Sequence, residues 1–493
     1  MPTRLRTALE ALAALAATAF ALLFFVLAAL RARYPYELEW MEGACVDHVA
    51  RILSTGRLYE PPSIEFVPYL YAPLYFYVSA GLSAVLGPGF LAPRLVSIAA
   101  VAGVFALMER WVRRETHARY AGLVAAGVFA ATFRASGAWF DLVRVDSLFL
   151  LLVLGGAYAL RFGAGMRSAV AAGALLGLAV LTKQTGVLLA AALALGALPR
   201  WRRSAAFAAV AAAVAGLGGL AFELGHDGWF SYYVFSLPAG HSLAEEGRLD
   251  FWTHDLGGHV PVAAALALAL LAGLAGRRSF APLAFYGALF AGALGASWSS
   301  RLHPGGYDNV LIPAFAVLAL GAGLAAGHVA RAARAEGGGS GLARTAALLV
   351  PVAVLAQLAL LRYDPSAQVP RAADREAGDR LVERLRSIEG EVFIPSHGYL
   401  AAAAGKSPHV HLMALLDVVR AEDKAPGEAL KEEIRAALRA RRFGALLLDS
   451  PYFVRNYGAG QYYRKVEDVL GDEDGFWPVT GRATRPVHLY LPR

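Results

Sequence analysis

Three observations predict an all-α, polytopic membrane protein with a small soluble α/β domain at its C-terminal end. Of 493 residues, 57% are hydrophobic and only 17% charged, with a mean hydropathy of +0.48; soluble globular chains carry about 25% charged residues. The apolar residues fall in runs close to the roughly 17–25 needed to cross hydrocarbon. From about residue 364 the composition changes to that of a soluble domain.

The first run, 8–30, follows Arg4 and Arg6 and resembles a signal peptide. It is longer than a secretory apolar region, and Arg31-Ala32-Arg33 is a poor cleavage context, so a retained first transmembrane helix is expected. Further spans are expected near 92–111, 119–134, 146–161, 168–182, 184–198, 204–223, 259–275, 280–298, 309–328 and 344–361. The stretch 70–87 decides the topology. If it crosses, Arg110, Arg113, Arg114 and Arg119 fall outside and the positive-inside rule fails; if it lies at the outer face, every later arginine cluster becomes cytoplasmic. Tyr69, Tyr71, Tyr75, Phe76 and Tyr77 supply the aromatic belt of an interface, which favours the second choice.

The expected architecture is therefore about eleven helices, N-terminus in and C-terminus out. Residues 1–363 form the membrane module with an outer juxtamembrane loop at 31–91, and residues 364–493 form the extracytoplasmic domain. Residues 135–145, 224–258 and 299–308 share the outer face, with the break at Lys183, and 337–341 reads as a flexible glycine linker. In the soluble part, Glu391–Ile394, Ala445–Leu448 and Val487–Leu491 read as strands and 427–442 as a helix. The lone Cys45 excludes an internal disulfide framework and a cysteine zinc site. The net charge of +8 gathers at helix ends, which is topology and argues against nucleic acid. No internal repeat marks a transporter.

All the unusual ionisable residues fall on the outer side. Glu39 and Glu42 are three apart, on one face of a helix if the segment is helical, with Asp47 beyond them. A partly desolvated carboxylate there serves as general base, or caps a helix at the interface. Asp146 opens an apolar helix, where the dipole favours a carboxylate; it pairs with Arg144 or contributes to a metal or acceptor site. Lys183, in Thr182-Lys183-Gln184-Thr185, requires an anion such as a lipid phosphate, or snorkels to water. Between two spans, Arg301 offers a fork for phosphate oxygens, and His303 and Tyr307 offer hydrogen bonds to a sugar or phosphate; a ligand-free polar hairpin is the alternative. His226, Asp227, His241, His254, Asp255 and His259 match no tight zinc spacing.

Four segments in order carry a resemblance. They are Glu42-Gly43-Ala44-Cys45-Val46-Asp47-His48 with Gly56-Arg57-Leu58-Tyr59, then Tyr71-Ala72-Pro73-Leu74-Tyr75-Phe76-Tyr77, Arg144-Val145-Asp146-Ser147, and Leu181-Thr182-Lys183-Gln184-Thr185-Gly186. Together they resemble the bacterial dolichyl-phosphate-mannose protein mannosyltransferase superfamily, which includes the lipid A aminoarabinose transferases, with their GT-C fold. The likeness spans roughly 8–330. It departs at Met41-Glu42, where the family often has Asp-Glu, and in having one proline before Leu74.

The resemblance implies an inverting glycosyltransferase of the inner (cytoplasmic) membrane. It would move a hexosyl or pentosyl group from a polyprenyl-phosphate donor to a lipid, glycan or protein acceptor at the periplasmic face. Glu42 is then the expected base with Glu39 beside it. Asp146 orients the acceptor or binds a divalent cation (Mg or Mn), and Lys183, Arg301 and Arg94 stabilise the leaving phosphate. Arg144, Tyr71, Tyr75, His303 and Tyr307 complete the expected substrate-binding set. A lipid-linked-sugar flippase and a catalytically silent assembly subunit are the alternatives.

Overall fold

The structure, a computed structural model, describes residues 2–240, 247–303, 305–334, 341–471 and 475–493. The glycine linker expected at 337–341 lies almost wholly outside the described residues, as do His241 and Pro304.

A helix occupies each of the eleven expected stretches: α1 (Pro2–Ala32), α4 (Leu91–Thr116), α5 (Arg119–Ala131), α6 (Asp146–Phe162), α7 (Met166–Val180), α8 (Gly186–Gly196), α9 (Trp201–Gly225), α10 (Pro261–Gly276), α11 (Phe280–Arg301), α12 (Ile312–Arg334) and α13 (Gly341–Leu360). Two more, α2 (Glu42–Thr55) and α3 (Leu74–Leu86), belong to the first long loop. Among the described residues, six helices are long and apolar enough to cross a membrane alone, or seven if the bend of 100° before α10 joins two pieces of one span. The chain is a multi-pass membrane protein. At 13 residues α3 is about 20 Å long, short of the hydrocarbon thickness, as are α5 and α8, so length alone does not separate it from them.

The spanning window of α12 is wholly buried, and that helix forms the axis of the bundle. Small residues allow the approach: a Cβ on Gly323 would lie 2.6 Å from that of Ala125, and one on Gly127 would meet the Ala17 backbone at 2.3 Å. Peripheral helices leave large apolar side chains outward, among them Leu15, Leu217 and Leu268. That is the surface a lipid-facing helix presents.

Contacts sort the loops into two ends. At one end Arg161 pairs with Glu115, Arg203 donates to the carbonyls of Leu160 and Gly163, and Arg334 pairs with Glu10. At the other, Glu42 of the first loop receives the Val143 amide of the second (3.0 Å), Asp146 meets Lys183, and Thr480 donates its amide to the Leu38 carbonyl (3.0 Å). The arginine clusters and the unusual acids therefore occupy opposite ends, as the charge pattern requires.

The C-terminal domain is a mixed four-stranded sheet, β1 (Glu391–Phe393), β2 (Phe443–Leu448), β3 (Tyr463–Asp468) and β4 (His488–Pro492), in the order β1-β2-β4-β3. β1 and β2 are parallel, and β4 runs antiparallel to both its neighbours. Helices α14 (Ala372–Arg386), α15 (Leu412–Arg420) and α16 (Ala425–Arg439) carry apolar stripes such as Leu430, Ile434 and Leu438, all buried. The same apolar cluster continues through Val49, Tyr69 and Phe76, so the domain and the first outer loop share one core.

Candidate functional site

The first outer loop leaves α1 at Ala32 and re-enters a helix at Glu42, so residues 33–41 form a bend that buries Glu37 and Glu39. What those groups meet separates scaffold from site.

Glu42, the expected base, is fully engaged by neighbours. Arg94 holds it in a two-pronged pair, Nε to Oε1 at 2.8 Å and Nη2 to Oε2 at 2.7 Å, with both side chains fully buried. The amides of Leu38 (2.8 Å) and Val143 (3.0 Å) also donate to its oxygens. Arg94 spends its other N–H groups on the carbonyls of Arg31, Tyr34 and Tyr36. Both groups expected to act on substrate are thus occupied in binding two loops to α4. Arg31 does parallel work, pairing with Asp141 at 3.1 Å and donating to Ala138.

Glu39 is different. It is fully buried, and among the described residues neither carboxylate oxygen has a well-formed hydrogen bond, although the Met41 amide lies close enough to favour its charged form. Burial pushes its pKa up to about 7; Arg144 and the Met41 amide pull it down, and Glu42 pushes it up. Arg144 is equally unusual. Among the described residues no carboxylate lies within the 4.0 Å of an ion pair with it, and its Nε has no partner. Its charge faces the rings of Trp139 at 4.5 Å and Tyr71 at 5.5 Å, with the Cys45 thiol 3.8 Å from Nη1. A buried anion and a buried cation sit near each other without closing into a pair. Such groups are costly to leave unpaired, which makes this pair the candidate site.

Nearby stand an aromatic shelf and a second charge pair. Tyr307 stacks on Trp139 with centroids 5.7 Å apart and planes 11° from parallel. Tyr307 is 41% exposed, so the shelf reaches the surface. Asp146, at the start of α6, takes Lys183 Nζ on one oxygen at 2.7 Å and the Asn309 amide on the other at 3.2 Å. It does not pair with Arg144, the alternative left open by the sequence. The break between α7 and α8 sets Lys183 there, with its own amide bonded back to the Ala179 carbonyl.

The remaining expected residues lie outside this site. Tyr75 is buried, donating to Pro93 O at 2.9 Å and contacting Ser97. Arg301 grips Asp255 with Nε at 2.9 Å and Nη2 at 3.0 Å and donates to Gly306, which fixes the loop carrying Tyr307. His303 is half-buried on that loop. Among the described residues no three His, Cys, Asp or Glu side chains gather as a metal site. A divalent cation does not fit Asp146, whose oxygens already hold an ammonium and an amide. An apolar cavity of about 360 Å³ opens beside Leu181, lined by Val180, Gly219, Phe230 and Val234.

Three contributors escaped the sequence reading. Trp139 and Asn309 lacked any local signal beyond residue type. The third is the set of C-terminal-domain residues that reach the site, in two places. His397 joins Glu37 (2.6 Å) to Asp449 (3.0 Å), and residues 479–482 lie over Glu39. Burial opposes charge on His397, but Asp449 and Glu37 outweigh it and hold its pKa up at about 10. Asp449 stays below the usual carboxylate range despite its burial, because of His397, whereas burial pushes Glu37 up to about 8. Asp449 thus carries the counter-charge.

This arrangement, a helical bundle with paired loops and an α/β cap over one end, is the GT-C fold. No family model and no curated protein matches the sequence. Among solved structures, the chain is similar to ArnT from Cupriavidus metallidurans bound to undecaprenyl phosphate, with a TM-score of 0.62, 14% identity and 97% of each chain covered. It is also similar to the Archaeoglobus fulgidus oligosaccharyltransferase in the apo form, with a TM-score of 0.54 and 14% identity over 93% of this chain and 73% of that one. At these identities the likeness is one of fold.

Proposed function

We propose that the protein is an inverting glycosyltransferase that moves a sugar from a polyprenyl-phosphate donor to an acceptor at the outer face of the cytoplasmic membrane. One observation carries the reading: the buried Glu39 carboxylate, without a well-formed hydrogen bond, lies within electrostatic reach of the Arg144 guanidinium, which rests on the rings of Trp139 and Tyr71 and closes no ion pair among the described residues. The arginine clusters at the far end support this orientation, since the positive-inside rule favours them in the cytoplasm.

In this scheme Glu39, rather than Glu42, is the base. A carboxylate with a pKa near 7 is poised to take a proton at neutral pH. The acceptor's hydroxyl or amine gives its proton to Glu39 while its lone pair attacks the anomeric carbon from the side opposite the phosphate. The carbon–oxygen bond to phosphate breaks, and the electron pair leaves with the lipid phosphate. Arg144 and Lys183 meet the charge that develops there, Arg144 with an Nε–H already free of other partners. The Trp139–Tyr307 shelf offers the apolar face of a sugar ring a flat partner. Asp146 holds Lys183 in place through its Nζ. The cavity beside Leu181 suits the first isoprene units of the donor, and ArnT in its complex holds a lipid of that class.

The test is turnover of radiolabelled undecaprenyl-phosphate sugars by purified protein. Release of lipid phosphate that is lost in Glu39→Gln supports the reading. Lipid binding without turnover of any donor, or counterflow of labelled lipid in proteoliposomes, moves the assignment to a silent subunit or a flippase.

A further inference from the structure

The loop between β3 and β4 begins at the far edge of the sheet, yet residues 479–482 come to rest on the bend that carries Glu39. Four contacts fix them there. Val479 packs against Leu38, Trp139 and Leu142. Thr480 donates its amide to Leu38 O at 3.0 Å and its hydroxyl to Gly137 O, joining the first outer loop to the second. Gly481 follows with φ of +78°, and its backbone lies against the acid. A Cβ built there would stand 2.7 Å from Glu39 Cγ and 3.0 Å from Oε1. Arg482 sits over the Trp40 ring at 5.8 Å. The base of this strap is anchored as well: Arg485 donates to Gly475 and Gly471, and Thr484 bonds Asp449.

We infer that the C-terminal domain supplies one wall of the reaction site, with Gly481 and Thr480 as positioning residues that hold the Glu39 carboxylate against the acceptor's path. The inference rests on the glycosyl-transfer reading and adds to it the part played by residues 364–493. Position 481 requires glycine twice over: the left-handed backbone disfavours a side chain, and the Glu39 side chain already occupies the space one would take. The strap also keeps water from the acid. The groups facing Glu39 from the other elements are Arg144 from the second loop, Glu37, Glu42 and Cys45 from the first loop and α2, Tyr69 and Tyr71 ahead of α3, and Tyr307 from the loop before α12.

The experiment compares Gly481→Ala with Gly405→Ala. Gly405 has the same φ of +78° in the same domain, with nothing within 4 Å of its Cβ position, so it carries the backbone strain without the contact. In the full-length, detergent-solubilised protein, Gly481→Ala is expected to lower kcat at least tenfold with the donor KM within about twofold of wild type. The acidic limb of its pH–rate profile should move below the wild-type position near pH 7 as water reaches the carboxylate. Thr480→Val, which keeps the shape and removes the hydroxyl, should shift the profile the same way by less. Wild-type kcat and profile in a folded Gly481→Ala, or an equal loss in Gly405→Ala, would overturn the inference. If wild type itself turns over no donor, the glycosyl-transfer reading fails, and the wall is judged on stability against pH. It stands if Gly481→Ala, but not Gly405→Ala, weakens the fall in stability between pH 4.5 and 7 that Glu39 imposes, and falls if the two curves coincide with wild type.

Discussion

Glu39 and Glu42 lie three residues apart and should answer the same substitution in opposite directions. A carboxyl whose pKa rises from 4.5 to about 7 on folding keeps its proton in the native state while the unfolded chain has lost its own. The fold therefore loses stability as pH rises from about 4.5 to 7, after which the loss is constant. At about 1.4 kcal/mol per unit, the charged acid costs the fold up to about 3 kcal/mol at pH 8. Glu39→Gln resembles the protonated form and removes that cost. It should raise the unfolding midpoint at pH 8 by several degrees and leave the midpoint at pH 4.5 unchanged. Glu42→Gln instead leaves Arg94 buried with half its pair and should destabilise by about 3–5 kcal/mol. The assay is thermal unfolding of the purified protein in one detergent from pH 4.5 to 8.5, read by tryptophan fluorescence. A Glu39→Gln protein less stable than wild type at pH 8, or a Glu42→Gln protein as stable as wild type, would refute the division into strained site and satisfied scaffold.

Three further outcomes are expected. Arg144→Lys should lower transfer at least tenfold with folding intact, because an ammonium cannot reproduce the planar fork between Trp139 and Tyr71; kinetics beside a melting curve decide it. Lys183→Met alone should destabilise by about 3 kcal/mol through the stranded Asp146, and Lys183→Met with Asp146→Asn should recover stability without activity, as measured by a double-mutant cycle. A histidine held above its unfolded value stabilises below about pH 6.5, and that stability is lost as pH rises towards 10, so His397→Gln should flatten the alkaline fall in stability and expose residues 364–493 to protease sooner at pH 7.

The helices were legible because membrane spans announce themselves by length and composition, and the break at Lys183 by polar residues between two short apolar runs. Strands β1, β2 and β4 were legible as apolar runs. The charged edge strand β3, Tyr-Arg-Lys-Val-Glu-Asp, was not, because an edge strand with its side chains in water carries no apolar period. The site was half legible. Residue type and order brought Glu39, Arg144, Asp146, Lys183, Tyr71 and Tyr307 forward. Which acid stays free is set by partners far along the chain: Arg94 claims Glu42 from 52 residues away, and Asp255 claims Arg301 from 46. No local pattern encodes that choice. The strap over Glu39 was hidden for the same reason, since Gly481 lies more than 400 residues from the acid it touches.

The central claim is that a free, buried Glu39 takes the acceptor's proton. The most direct measurement is single-turnover transfer from radiolabelled undecaprenyl-phosphate sugar by wild type and Glu39→Gln across pH 5 to 9, with lipid binding measured in parallel. The account predicts a wild-type rate that climbs through about pH 7 and a Glu39→Gln rate at least a thousandfold lower at every pH, with donor affinity retained. Transfer in Glu39→Gln within tenfold of wild type would contradict it.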